Sequence, residues 1–305
     1  MSVPKAPVVL IAFNRPETIR RVFQAVRLAR PERLFLIADG PRAGRVGEPE
    51  RCAEVRQIMT AVDWPCAVET NFAAENMGCR QRIVSGLNWV FARAEEAIIL
   101  EDDCLPDASF FAFCSELLER YRERPEVAYI TGFNPLEREF PIPWSYSSSR
   151  LGGIWGWATW RRAWSAYDGE LRDWPEVKAG GIIERLFPEP RVSAYWTWVF
   201  DRMHAGTGPN TWDYQWSYTC WMRNWLAVVP GRNLVENIGA GADATHTTKI
   251  DPALLLRART MEMPLLHPPA MTAWPQFERR MQDRFFAQTL RARIVRILQR
   301  LAGRG

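Results

Sequence analysis

Short apolar runs alternate with stretches of helical periodicity through the first 133 residues, and that alternation predicts βαβ units on a mainly parallel sheet. Strands are expected at Val8–Phe13, Leu34–Ala38, Ala67–Asn71, Ala97–Leu100 and Val127–Thr131. Between the first two, Ile19, Val22, Phe23 and Val26 share one helical face behind Pro16, a residue suited to the first helical position. Further helices are expected over about 50–62, 79–94 and 109–124, the last with Ser109 as N-cap and with Phe110, Phe113, Leu117 and Tyr121 buried. After Asn134 the alternation stops. Residues 135–164, rich in Pro, Ser, Trp and Gly, read as loops and short strands over the sheet. Helices near 191–204 and 214–224 and a strand at Leu226–Val229 follow, then a tail from 276 in which Phe, Leu and Ile alternate with Arg. The expected organisation is one α/β domain in two halves, 1–133 and 134–275, with an amphipathic basic helix over 276–305.

Composition places the 305-residue chain, 47% hydrophobic and 24% charged, among ordinary folded proteins and excludes disordered and fibrous classes. No apolar run approaches the roughly 18 residues of a spanning helix, and Val8–Phe13 is too short for a signal segment. The six cysteines are spread without a C-x-x-C pair, which fits a reducing cytoplasm better than a disulfide framework or a zinc knuckle. The net charge of +4 conceals an asymmetry. Residues 276–305 carry eight arginines against two acids, whereas the rest of the chain has 31 basic and 33 acidic side chains. A nearly neutral body of this kind argues against a nucleic-acid-binding function.

In an open α/β sheet ligands bind beyond the carboxyl ends of the strands. There the sequence places Asn14-Arg15 after the first strand, Asp39-Gly40 after the second and Glu101-Asp102-Asp103 after the fourth. Three consecutive carboxylates repel one another unless a cation or donors intervene. Mg²⁺ or Mn²⁺ takes one or two protein carboxylates and fills its shell with water and phosphate oxygens, so the triplet suits a nucleotide diphosphate. An acidic first turn of the following helix is the plainer alternative. No Walker loop and no G-x-G-x-x-G occurs, which leaves a metal to hold phosphates.

Eleven of fifteen tryptophans fall between Trp155 and Trp225, and indoles stack on the C–H faces of sugars, although each Trp also suits a core. Asp213, between Trp212 and Tyr214, reads either as an N-cap or as a general base. His246 follows the glycine-rich 239–241 step and reads as a metal or phosphate ligand or as a structural histidine.

Taken together, residues 9–16, Ala38-Asp39-Gly40, residues 98–103, Gly156-Trp157 and Trp212-Asp213 resemble a GT-A fold glycosyltransferase, similar to the N-acetylglucosaminyltransferase I type and its bacterial sugar-transferase relatives, over roughly 7–248. The resemblance implies a Rossmann-like, mainly parallel sheet flanked by helices, with 1–133 binding the nucleotide sugar and the irregular Trp-rich 134–275 facing the acceptor. It implies Mn²⁺ (or Mg²⁺) on Asp103 with His246 as closing ligand. Arg15 and Asp39 would contact the uracil side of a UDP-sugar, with Asn14, Gly156 and Trp157 in the same donor site. Asp102 and Glu101 would hold ribose or donor sugar, and Asp213 would deprotonate the acceptor hydroxyl in an inverting transfer.

The expected function is metal-dependent transfer of a hexosyl or N-acetylhexosaminyl group to a glycan or lipid-linked acceptor, in bacterial envelope or secreted polysaccharide synthesis, in the cytoplasm. A sugar-nucleotide nucleotidyltransferase and a non-catalytic carbohydrate-binding protein are the alternatives. The basic tail reads equally as a helix lying on the anionic inner face of the plasma membrane or as one packed on the body or on a second subunit.

Overall fold

A computed structural model describes residues 4–239 and 256–286. In chain order the elements are β1 (Val8–Ala12), α1 (Pro16–Ala29), β2 (Arg33–Ala38), α2 (Glu48–Thr60), β3 (Ala67–Phe72), α3 (Cys79–Phe91), β4 (Glu96–Glu101), β5 (Cys104–Pro106), α4 (Ser109–Arg120) and β6 (Val127–Thr131). There follow β7 (Tyr146–Ser149), β8 (Trp157–Trp160), α5 (Arg161–Trp164), α6 (Trp174–Ala179), α7 (Ile182–Leu186), α8 (Pro190–His204), α9 (Asp213–Met222), β9 (Leu226–Pro230), β10 (Val235–Asn237) and α10 (Pro275–Met281). The described residues fall into two compact units, one built from the chain up to Tyr167 and again from Asn210 to Ala273, the other from Asp168–Pro209 and the chain from Trp274. The division therefore does not follow the halves read along the sequence: most of the irregular stretch completes the first unit.

The first unit is an α/β fold on an eight-stranded, mainly parallel sheet of order β3-β2-β1-β4-β8-β6-β9-β7, flanked by helices. Every residue of β1 is buried, as expected of a parallel strand covered on both faces, and each buried Val, Leu or Ile stabilises the fold by roughly 1.5–3 kcal/mol. The helix α1 forms as its sequence period requires. It has Pro16 in its first turn, buries Ile19, Val22, Phe23 and Val26, and stops at Arg30 in a left-handed conformation (φ 50°). The segments α1 and α2 carry the chain outward from β1 to β3, and α3 returns it to the other side of β1, where β4 pairs in parallel (Val8 opposite both Leu34 and Ile98). The direction of winding thus switches between β1 and β4, and their carboxyl ends diverge into the crevice where α/β sheets hold ligands.

Three local expectations are corrected. Residues 157–160 do not lie over the sheet: β8 is inserted in its middle, antiparallel to both β4 and β6. Its Trp-Ala-Thr-Trp sequence is buried throughout, so four residues complete the hydrogen bonding of two neighbours. Ser109 is not the N-cap of α4 but its first residue. The Asp107 carboxylate accepts hydrogen bonds from the Ser109 N–H (2.9 Å) and hydroxyl (2.6 Å) and performs the capping. The α4 helix also ends at Arg120, one turn before the expected 124.

The second unit is helical. Val192, Trp196, Val199, Phe200 and Met203 form the buried stripe of α8, with Trp174 edge-on to Phe200 at 5.4 Å. The described start of the basic tail packs inside this unit: Phe277 and Met281 of α10 are buried, and the Phe286 ring lies 4.9 Å from that of Trp196. Residues 287–305 lie outside the described residues. No helix among the described residues is long and apolar enough to cross a membrane.

Candidate active site

At the switch point the turn after β1 meets the turn after β4. Arg15, the residue before α1, reaches across to pair with Asp102 and, at 3.0 Å, with Oδ2 of Asp103. Asp102 is buried, and its second oxygen accepts the Phe13 N–H at 3.2 Å. Burial works against the Arg15 charge, but the two carboxylates outweigh it, so the guanidinium holds its proton more tightly than usual. Burial also raises Asp102, with Arg15 opposing the shift. Glu101 is pushed up to about 8, first by burial and then by Asp103 and Asp102, with a further contribution from Asp213 at the head of α9.

The short ribbon of β5 and β10 closes this corner. Asp103 accepts the Ile238 N–H on its carbonyl oxygen (2.8 Å), and Gly239 then passes so near Asp103 and Arg15 that no side chain fits there. His246 lies outside the described residues, in the segment that begins beside Gly239.

Asp39 has a different environment from the one expected of a free donor contact. Its Oδ1 accepts the N–H groups of Gly40 (2.9 Å) and Met77 (2.9 Å), and its Oδ2 accepts Gly78 N–H (3.1 Å) and the Asn76 amide (3.0 Å). A carboxylate offers about four acceptor positions, so Asp39 builds the 76–78 turn that leads into α3. Asn14 turns aside to Glu48 Oε1 (2.9 Å), a buried carboxylate that also accepts from Arg42, and so ties the exit of β1 to the start of α2.

Trp157 does not belong to the site. Only 1% exposed, it stacks on Trp212 at 5.2 Å and packs against Trp164 and Trp216, so its ring is core. Nine of the fifteen tryptophans are buried, which makes packing their main role. Gly156 (φ 61°) serves the backbone, since a Cβ there would lie 2.6 Å from Val235 Cγ2.

Asp213 is the first residue of α9 rather than its cap, and its carboxylate accepts the Thr211 hydroxyl. Two residues that sequence reasoning passed over sit between the clusters. Cys79 opens α3 facing Glu101, Asp213, Asp103 and Asp39, and burial together with those charges raises its thiol to about 12. Asn210 accepts the Arg80 N–H on its side-chain oxygen at 3.2 Å. Neither position carries a periodic or motif signal.

Among the described residues no group of three or more His, Cys, Asp or Glu side chains is arranged to hold a metal ion by itself. Asp102 and Asp103 pair with Arg15, and the triplet's carboxylates offer hard oxygens, the donor type that Mg²⁺ or Mn²⁺ takes when phosphate and water complete its shell.

No family model and no curated protein matches the chain. Among solved structures it is similar to the mannosyltransferase PcManGT from Pyrobaculum calidifontis, in complex with GDP-Man and Mn²⁺, with 14% identity and a TM-score of 0.44. The match covers 80% of this chain and 59% of that one, so the chain spans less than two thirds of the mannosyltransferase.

Proposed function

We propose that the protein is a metal-dependent glycosyltransferase of the GT-A type, close in kind to N-acetylglucosaminyltransferase I. It moves a hexosyl or N-acetylhexosaminyl group from a UDP-sugar to a hydroxyl of a glycan or lipid-linked acceptor, with inversion, in envelope or secreted polysaccharide synthesis. The observation that carries this reading is the meeting of Arg15, Glu101, Asp102 and Asp103 at the switch point of the sheet, with the Asp213 charge close enough to be felt by Glu101. That combination supplies cation-binding oxygens and a separate carboxylate on one crevice, which is what transfer from a diphosphate leaving group needs.

Asp103, with Glu101 beside it and His246 as a further ligand, would hold Mn²⁺ or Mg²⁺. An ion held there would supply positive charge toward the diphosphate leaving group. Arg15 holds Asp102 and Asp103 in place through its two ion pairs. The Asp39-held turn and the Asn14 corner form the wall against which the nucleotide lies. Asp213 accepts the proton of the acceptor hydroxyl as that oxygen attacks the face of the sugar opposite the diphosphate. The basic tail places the enzyme against an anionic membrane surface where lipid-linked acceptors are assembled.

Incubation with UDP-glucose, UDP-N-acetylglucosamine and GDP-mannose, each with Mn²⁺, tests the reading by nucleoside diphosphate release to water or to added glycans. Metal-dependent release from one donor supports it. Absence of release from every sugar nucleotide, with and without Mn²⁺, contradicts it.

A further inference from the structure

The turn that carries Asp213 is fastened on three sides. The Trp212 side chain is stacked into the aromatic core against Trp157, while its carbonyl accepts the Tyr167 hydroxyl at 3.2 Å. The buried Gln215 amide, with its nitrogen inward, donates to the carbonyls of Thr211 (3.1 Å) and Trp212 (3.3 Å). The third fastening is Asn210, whose side-chain oxygen accepts the N–H of Arg80, the second residue of α3. It caps that helix from 130 positions along the chain. Gly78 completes the fit: it adopts φ 78°, and a Cβ on it would lie 2.6 Å from Asn210 Nδ2. The same Gly78 donates its N–H to Asp39 at 3.1 Å.

These contacts form one continuous path. Asp39 holds the 76–78 turn, that turn and the head of α3 hold Asn210, and Asn210 is followed by Thr211, whose hydroxyl is on the Asp213 carboxylate. The turn on the donor side and the turn bearing the base come from strands and helices far apart in sequence. Asn210 joins them directly.

We propose that Asn210 is a positioning residue that fixes the Asp213 carboxylate relative to the donor-side turn at the head of α3. The inference rests on the assignment of Asp213 as base. Asn210 is exposed, so its removal takes away a helix cap without opening a cavity in the core. An N-cap oxygen is the feature required, so aspartate replaces it and alanine does not.

The experiment is a double-mutant cycle on sugar-nucleotide turnover, with the active donor of the panel above, Mn²⁺ and water as acceptor. Asn210→Ala is expected to lower kcat about 10-fold or more, with the Kd for the nucleoside diphosphate and Mn²⁺ nearly unchanged and the melting temperature lowered only by the few degrees a lost cap costs, because a misplaced base slows the step without weakening the ground state. Asn210→Asp is expected to recover most of the rate. On an Asp213→Asn background, Asn210→Ala is expected to cost less than about 2-fold, since both act through one group. Independent, multiplicative losses in the double variant, or an Asn210→Ala enzyme with normal kcat, would overturn the role of Asn210 while leaving the transferase reading in place. A wild-type protein without turnover on any donor would remove both.

Discussion

The guanidinium of Arg15 stands 3.0 Å from the carboxylate of Asp103, joining the residue before the first helix to the third acid of the triplet after β4. Arg15 also pairs with Asp102, so one cation answers two of the carboxylates at the switch point.

Asp213 is expected to act on the acceptor and not on the donor. Asp213→Asn keeps the size and polarity of the side chain but cannot take a proton. Nucleotide affinity measured by calorimetry should stay within about 3-fold of wild type while turnover falls by roughly 10² or more. Equal turnover in the variant would remove Asp213 from the reaction.

Asp39 is expected to matter through structure. In Asp39→Asn one of its two oxygens becomes an amide nitrogen facing two N–H donors, so the 76–78 turn loses hydrogen bonds it cannot replace. The cost should be about 2–4 kcal/mol, read as a lower denaturation midpoint with unchanged slope, together with weaker nucleotide binding. Loss of nucleotide binding at unaltered stability would instead make Asp39 a direct donor contact.

Trp157 gives the converse case. Trp157→Ala should destabilise by about 3–5 kcal/mol through the cavity left among Trp164, Trp212 and Trp216. The milder Trp157→Phe, where the fold survives, should keep nucleotide affinity. A Phe variant of normal stability that fails to bind nucleotide would return Trp157 to the donor site.

Glu48 sets an acid limb on stability. Hydrogen bonds from Arg42 outweigh burial and hold its carboxyl at about 2, against an ordinary value of 4.5. A carboxylate whose folded value is depressed stabilises the protein above its ordinary value and loses that contribution as pH falls toward the folded one. Wild type should therefore lose about 1–2 kcal/mol from this pair between pH 4.5 and pH 2. Glu48→Gln should be less stable at pH 7 and flatter across that range in thermal melts. Parallel pH profiles for the two proteins would contradict the pairing.

The sequence made the first half of the fold legible because its strands are doubly covered and read as unbroken apolar runs, as in Val8–Ala12 and Ile98–Leu100, each followed by polar residues at the sheet's edge. For the same reason Arg15, Glu101, Asp102 and Asp103 could be placed together at that edge. The strand β8 was hidden because four residues with two tryptophans give no period, and only its neighbours β4 and β6 make it a strand. The same tertiary fact moved Trp157 from expected donor contact to core. Asn210, Cys79 and the donors around Asp39 were invisible because their roles arise from contacts 37 to 130 positions away along the chain or from convergence of charges, neither of which leaves a local pattern.

Asp103 is proposed to belong to a metal-dependent nucleotide site. Thermal melting of wild type and Asp103→Asn with UDP, GDP, dTDP or CMP, each in Mn²⁺ and in EDTA, addresses it directly. A ligand at 100 times its Kd adds about 2.7 kcal/mol, a shift of a few degrees for a chain of this length. Stabilisation of wild type by one nucleotide in Mn²⁺ alone, absent in Asp103→Asn, is the expected result. A shift that persists in EDTA or in the variant, or no shift with any nucleotide, would contradict the account.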